Sequence, residues 1–175
     1  MLKTFHAYDQ DLSFRWALFG RLNSRYIHLR KLVIALEFSG SGYVWIPYSL
    51  IMIGLHHTSI NEAMPFILLF IGLMYDIAII GITKRPDKFS FPSGHTSRAV
   101  FLLFYFIETT FFQQISKSVI ISWLGSVVAS RILLGRHYVS DVLAGVLFGI
   151  FECATIVRLS PFVVRFVLSF YDISN

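Results

Sequence analysis

The stretch Met64-Pro65-Phe66-Ile67-Leu68-Leu69-Phe70-Ile71-Gly72-Leu73-Met74-Tyr75-Asp76-Ile77-Ala78-Ile79-Ile80-Gly81-Ile82 decides the fold. Asp76 is its one charged side chain. About 20 such residues, rising about 1.5 Å each, cross the roughly 30 Å hydrocarbon layer of a bilayer. The stretch therefore reads as a membrane-crossing helix. Further apolar segments lie on either side. Tyr43–Leu55 carries Pro47 as a kink. A helix is expected from Gly94 to Phe112, and another from Val119 to Leu134 with Gly135 as its C-terminal cap. Val139–Leu159 follows, with Ser140 or Asp141 as N-cap, and Pro161 is expected to stop it. Phe162–Tyr171 is apolar but short for a full crossing. Ser39-Gly40-Ser41-Gly42 is a break, and polar connections fall at 56–62, 83–91 and 113–118.

Composition agrees. Of 175 residues, 55% are hydrophobic and 14% charged, which excludes an ordinary soluble domain and disorder. The net charge of +5 comes from residues at segment ends, which suits anionic lipid headgroups rather than nucleic acid. Residues 12–38 alternate basic and apolar side chains, as in an amphipathic segment at a membrane interface. Met1–Asp11 is polar and lacks a signal-peptide layout. Cys153, the single cysteine, lies in an apolar run and reads as a packing residue. The expected fold is an all-α integral membrane bundle of about five to six transmembrane helices. Residues 1–38 form an N-terminal cytoplasmic or interfacial segment and 39–175 the membrane domain, as a single domain overall.

Alternating helices put the N-terminal segment and the loops near 83–98 and 130–138 on one face. Lys3, Arg15, Arg21, Arg25, Arg30, Lys31, Lys84, Arg85, Lys88, Arg98, Arg131 and Arg136 collect there, against Lys117, Arg158 and Arg165 elsewhere. This bias assigns that face to the cytoplasm. It also brings two short motifs to one side: Pro92-Ser93-Gly94-His95, and Ser130-Arg131 with His137 and Asp141.

Together these motifs suit phosphate chemistry. Arg131 and Arg85 offer planar forks of donors to phosphate oxygens. Ser93 and Gly94 offer a hydroxyl and backbone N–H groups at a helix start. A neutral histidine such as His137 can attack phosphorus, and Asp141, four residues on, can hold its other ring nitrogen. His95 then serves as general acid and base. No cofactor is called for, and no cluster has metal-ligand spacing. The plainer reading makes Arg131, Arg136, His137 and Asp141 interfacial anchors and a helix cap. Asp76, Glu108 and Glu152 within apolar spans suggest pairing across helices, or a proton relay. His56-His57 with Glu62 reads as a solvated turn.

The two motifs, with the wider Asp87-Lys88-Phe89-Ser90-Phe91 and Leu134-Gly135-Arg136-His137, resemble the type 2 phosphatidic acid phosphatase superfamily. The wording is similar to the branch that hydrolyses presqualene and other polyisoprenoid diphosphates. The resemblance implies a metal-independent membrane phosphatase. Its substrate is a lipid mono- or diphosphate, hydrolysed through a phosphohistidine at His137, with Asp141 as its partner and His95 as general acid. It also implies Ser93, Gly94 and Arg131 as phosphate holders, and residence in the endoplasmic reticulum or nuclear envelope. The family's first motif is Lys, six residues, Arg-Pro. Here Arg85-Pro86 is present, with Ala78 at the Lys position and Lys84 as the nearest spare cation. A non-catalytic membrane scaffold and a transporter are the rival readings. Oligomeric state is left open.

Overall fold

A computed structural model describes residues 2–19, 27–83, 91–109 and 116–174. Among them are seven helices and no strand: α1 Leu2–Trp16, α2 Ile27–Ser39, α3 Gly42–Leu55, α4 Ile60–Thr83, α5 Gly94–Glu108, α6 Lys117–Leu133 and α7 Val139–Ser174. Two of these, α4 and α7, are long and apolar enough to cross a membrane.

The core lies between α4, α5, α6 and α7, where Leu69, Leu73, Phe101, Leu102, Leu124 and Val127 are buried. Large apolar side chains such as Ile82, Leu147, Phe162 and Phe166 face outward instead. That inversion suits a hydrocarbon solvent.

The helices α5 and α7 run parallel and make the most extensive contact among the described helices. Gly145 and Gly149, four residues apart on α7, make the approach possible. A Cβ at Gly145 would stand 2.6 Å from the Ser93 carbonyl oxygen, and one at Gly149 2.4 Å from that of Ser97. Their neighbours run antiparallel. Gly72 of α4 packs on Phe101, and Arg98 of α5 pairs with Asp76 of α4 at 2.5 Å. The C-terminal ends of α4 and α6 thus meet the N-terminal ends of α5 and α7.

Several expectations are corrected. Pro161 does not stop α7, which continues through it as one 36-residue helix. Proline removes the donor that would have met the Val157 carbonyl. The Ser160 hydroxyl donates to that carbonyl at 2.8 Å, so the turn remains satisfied. The N-cap of α7 is neither Ser140 nor Asp141, because the helix begins at Val139. Arg98 is not a surface cation: its pairing with Asp76 turns it into the bundle, where its side chain is 11% exposed. The N-terminal polar stretch is helical from Leu2. Asp76 and Glu152 do pair across helices, Asp76 with Arg98 and Glu152 with the Ser97 hydroxyl at 2.9 Å. The side chain of Glu108 lies outside the described residues.

Candidate active site

The α6–α7 corner sets the first half of the site. Gly135 takes a positive φ of 65°, which suits a residue without a Cβ. Around it, Gly135 N–H donates to the Ile132 carbonyl at 2.9 Å and Arg136 N–H to the Arg131 carbonyl at 3.0 Å. This pair of bonds is the Schellman arrangement, so the expected cap at Gly135 is present. The His137 N–H also reaches the Arg131 carbonyl, at 3.3 Å. Arg131 therefore positions the His137 backbone through its own main chain.

His137 is followed by Asp141 on the first turn of α7. His137 Nδ1 lies 3.7 Å from Asp141 Oδ2, with both side chains nearly buried. That separation is longer than a hydrogen bond. Asp141 Oδ2 accepts the Tyr138 N–H at 3.0 Å. The carboxylate thus caps α7 from its third residue, and faces His137 with the same oxygen.

The second half enters from α5. Ser93 is fully buried and precedes the helix in an extended conformation. Its N–H donates to the Asp141 carbonyl at 3.1 Å. A backbone hydrogen bond thus joins the two motifs directly. The Ser93 hydroxyl accepts from Thr96 Oγ1 at 2.9 Å and makes no cap bond. Gly94 opens the helix, packed on Ile80 of α4. His95 follows in the first turn. It is half-buried, in the neighbourhood of Arg131, Arg98, His137 and Arg136.

Arg131 is buried, and its Nη1 pairs with Glu37 Oε1 on α2. Its Nε has no hydrogen-bond partner among the described residues, and neither has His137 Nδ1. Arg98 Nε is unpartnered as well, so the open N–H alone does not mark a site; at Arg131 it lies beside the two histidine motifs, where an incoming anion would satisfy it.

The structure therefore gathers Ser93, Gly94, His95, Arg131, His137 and Asp141 at one end of the bundle. Lys84 and Arg85 lie outside the described residues, and Ala78 is exposed on α4. No group of three His, Cys, Asp or Glu able to hold a metal occurs among the described residues. His56 instead bonds Glu62 at 3.1 Å.

Three supporting residues escaped the sequence reading. Glu37 holds Arg131. Asp9 and Ser13, on one face of α1, meet the start of α7: Ser13 Oγ accepts the Val139 N–H at 3.0 Å and Asp9 Oδ1 the Ser140 N–H at 3.2 Å. A carboxylate there also meets the positive end of the helix dipole. The spacing of Asp9 and Ser13, one helical turn apart, was the available signal.

Comparison with known proteins points the same way. The chain is 32% identical over 145 residues to a probable lipid phosphate phosphatase beta of Arabidopsis thaliana, covering 56% of this chain and 65% of that protein. It thus spans somewhat less than two thirds of that relative. It is 27% identical over 162 residues to an undecaprenyl-diphosphatase of Sulfolobus acidocaldarius, covering 81% of this chain and 76% of that protein. No solved structure matches. Residues 58–165 match the PAP2 superfamily, and they hold both histidine motifs, α4 to α6 and most of α7: the chain belongs to that superfamily.

Proposed function

We propose that the protein is an integral membrane phosphatase that hydrolyses lipid phosphates, with polyisoprenoid mono- and diphosphates as its substrate class. The observation that carries this reading is the Ser93–Asp141 backbone hydrogen bond. It holds a histidine-bearing helix start against a second histidine and its carboxylate.

Asp141 faces Nδ1 of His137, which leaves Nε2 as the nucleophile. Nε2 forms a bond to the terminal phosphorus as the bond from that phosphorus to its leaving oxygen breaks, the oxygen of the lipid alcohol in a monophosphate and of the lipid monophosphate in a diphosphate, and His95 gives that oxygen its proton. Water then attacks the phosphohistidine and gives a proton to His95. Inorganic phosphate leaves, and both histidines return to their starting states. Arg131, the Ser93 hydroxyl and the Gly94 N–H neutralise the equatorial oxygens. Arg85, and Lys84 in place of the lysine absent at Ala78, supply further positive charge. The residues suffice without a metal. The lysine and arginine bias supports a site on the cytoplasmic face, and the family resemblance supports residence in the endoplasmic reticulum or nuclear envelope.

A non-catalytic scaffold is the second reading, and Ala78 at the family's lysine position favours it. One assay separates the two. Purified protein in detergent, with chelator, is offered phosphatidate and isoprenoid mono- and diphosphates, and phosphate release is followed. Release that is lost in Arg131→Ala supports the enzyme. No release from any of them supports the scaffold.

A further inference from the structure

The inference concerns Glu37, which lies outside the residues matched to the superfamily. It is 94 residues from Arg131 in sequence, yet the two side chains form a direct ion pair. Their exposures are 15% and 7%, so the pair is screened from bulk water.

The placement of Glu37 is built, not incidental. The C-terminal half of α2 is locked onto α6 at the break that follows it. Trp123 Nε1 donates to Ser39 Oγ at 2.8 Å, and Trp45 Nε1 to the Ser39 carbonyl at 2.8 Å. Gly40 lies so close to α6 that a Cβ would stand 2.5 Å from Val127 Cγ1. Those contacts set Glu37 opposite Arg131. The arginine carbonyl is meanwhile engaged by Arg136 and His137. The residue is thus held at both ends, with Nε unpartnered.

We propose that Glu37 is a positioning residue that fixes the Arg131 guanidinium for the transferring phosphoryl group. This rests on the reading of Arg131 as a phosphate holder. Glu37 engages Nη1 and leaves the Nε edge of the fork for phosphate oxygens. Its charge has two opposed effects. It balances a buried cation, and so competes with an incoming anion for the same guanidinium. It also fixes the fork, so that less ordering remains to be done in the transition state.

The two effects give a signature that simple loss of structure does not. In Glu37→Gln the amide keeps the shape and removes the charge. Inorganic phosphate, measured by calorimetry in detergent, is expected to bind about threefold or more tighter, because it becomes the main counter-charge of Arg131. The KM for a lipid phosphate falls in parallel, while kcat drops about tenfold. Glu37→Asp keeps the charge but shortens the reach. It is expected to leave phosphate affinity within about twofold of wild type and still lower kcat. Unchanged kcat in both variants, or weaker phosphate binding in Glu37→Gln, overturns the proposal. Should Glu37→Gln fail to fold, Glu37→Asp decides on kcat and phosphate affinity. The calorimetry does not depend on turnover. A wild type that binds phosphate but hydrolyses nothing sinks the phosphatase reading, and the phosphate affinities still decide the role of Glu37.

Discussion

Ser93 and Asp141 are joined main chain to main chain, the N–H of one on the carbonyl of the other at 3.1 Å. Neither side chain takes part, so substitution of either leaves both bonding groups of the junction present. Side-chain variants at the site are therefore expected to report on chemistry more than on folding.

His137→Ala is the first case. It is expected to insert and fold like wild type and to lose phosphate release entirely, since a covalent nucleophile has no substitute. Acid quenching with labelled substrate should trap an acid-labile phosphoenzyme in wild type alone. Undiminished hydrolysis by the variant removes His137 from the mechanism.

The α5–α7 contact tests how the site is held. Gly145→Ala drives a methyl into the Ser93 carbonyl and Thr96, and is expected to cost about 1–3 kcal/mol of stability. Activity falls as well, because Ser93 must shift. Gly125→Ala serves as the control, since nothing lies within 4 Å of its added methyl. Melting temperatures in detergent compare them, and equal values for the two contradict the packing argument.

Asp9→Ala removes an acceptor from the start of α7. The expected loss is about 1 kcal/mol, as for a helix cap. Denaturant titration should show it as a lower midpoint with an unchanged slope. A variant as stable as wild type would mean that α1 does not hold α7 in solution.

Asp76 and Arg98 form a buried pair with side-chain exposures of 0% and 11%. Asp76→Ala leaves the guanidinium unpaired and is expected to destabilise by about 3–5 kcal/mol. The double variant Asp76→Leu with Arg98→Met removes both charges and should recover much of that loss. A double variant less stable than the single one would show that the charges serve more than each other.

Orientation is tested at Arg136, which is exposed at the α6–α7 corner. A cysteine placed there should react with an impermeant reagent only when the cytoplasmic side is open. Labelling from the other side of sealed vesicles reverses the assigned topology.

Much of the site was legible because its parts are local. Gly135 announces a helix end, and His137 with Asp141 a helical spacing, within a few residues each. The long α4 was legible from its unbroken apolar run. The course of the chain past Pro161 was not, because the remedy depends on the Ser160 rotamer. Arg98 looked like a surface cation because its partner, Asp76, sits 22 residues away on another helix. Glu37 was invisible for the same reason, and Asp9 showed only its one-turn spacing from Ser13. Each acts on a residue that only the tertiary fold brings near.

The reach of α1 to α7 bears on the order in which the chain is made. Asp9 and Ser13 leave the ribosome early, but their partners Val139 and Ser140 follow after a further 126 and 131 residues. Until then α1 has only solvent or headgroups for its polar face. The parallel helix that pins Ser93 has not yet emerged either. A nascent chain arrested between α5 and α7 thus carries Pro92-Ser93-Gly94-His95 and no assembled site, so competence arrives in one late step of synthesis.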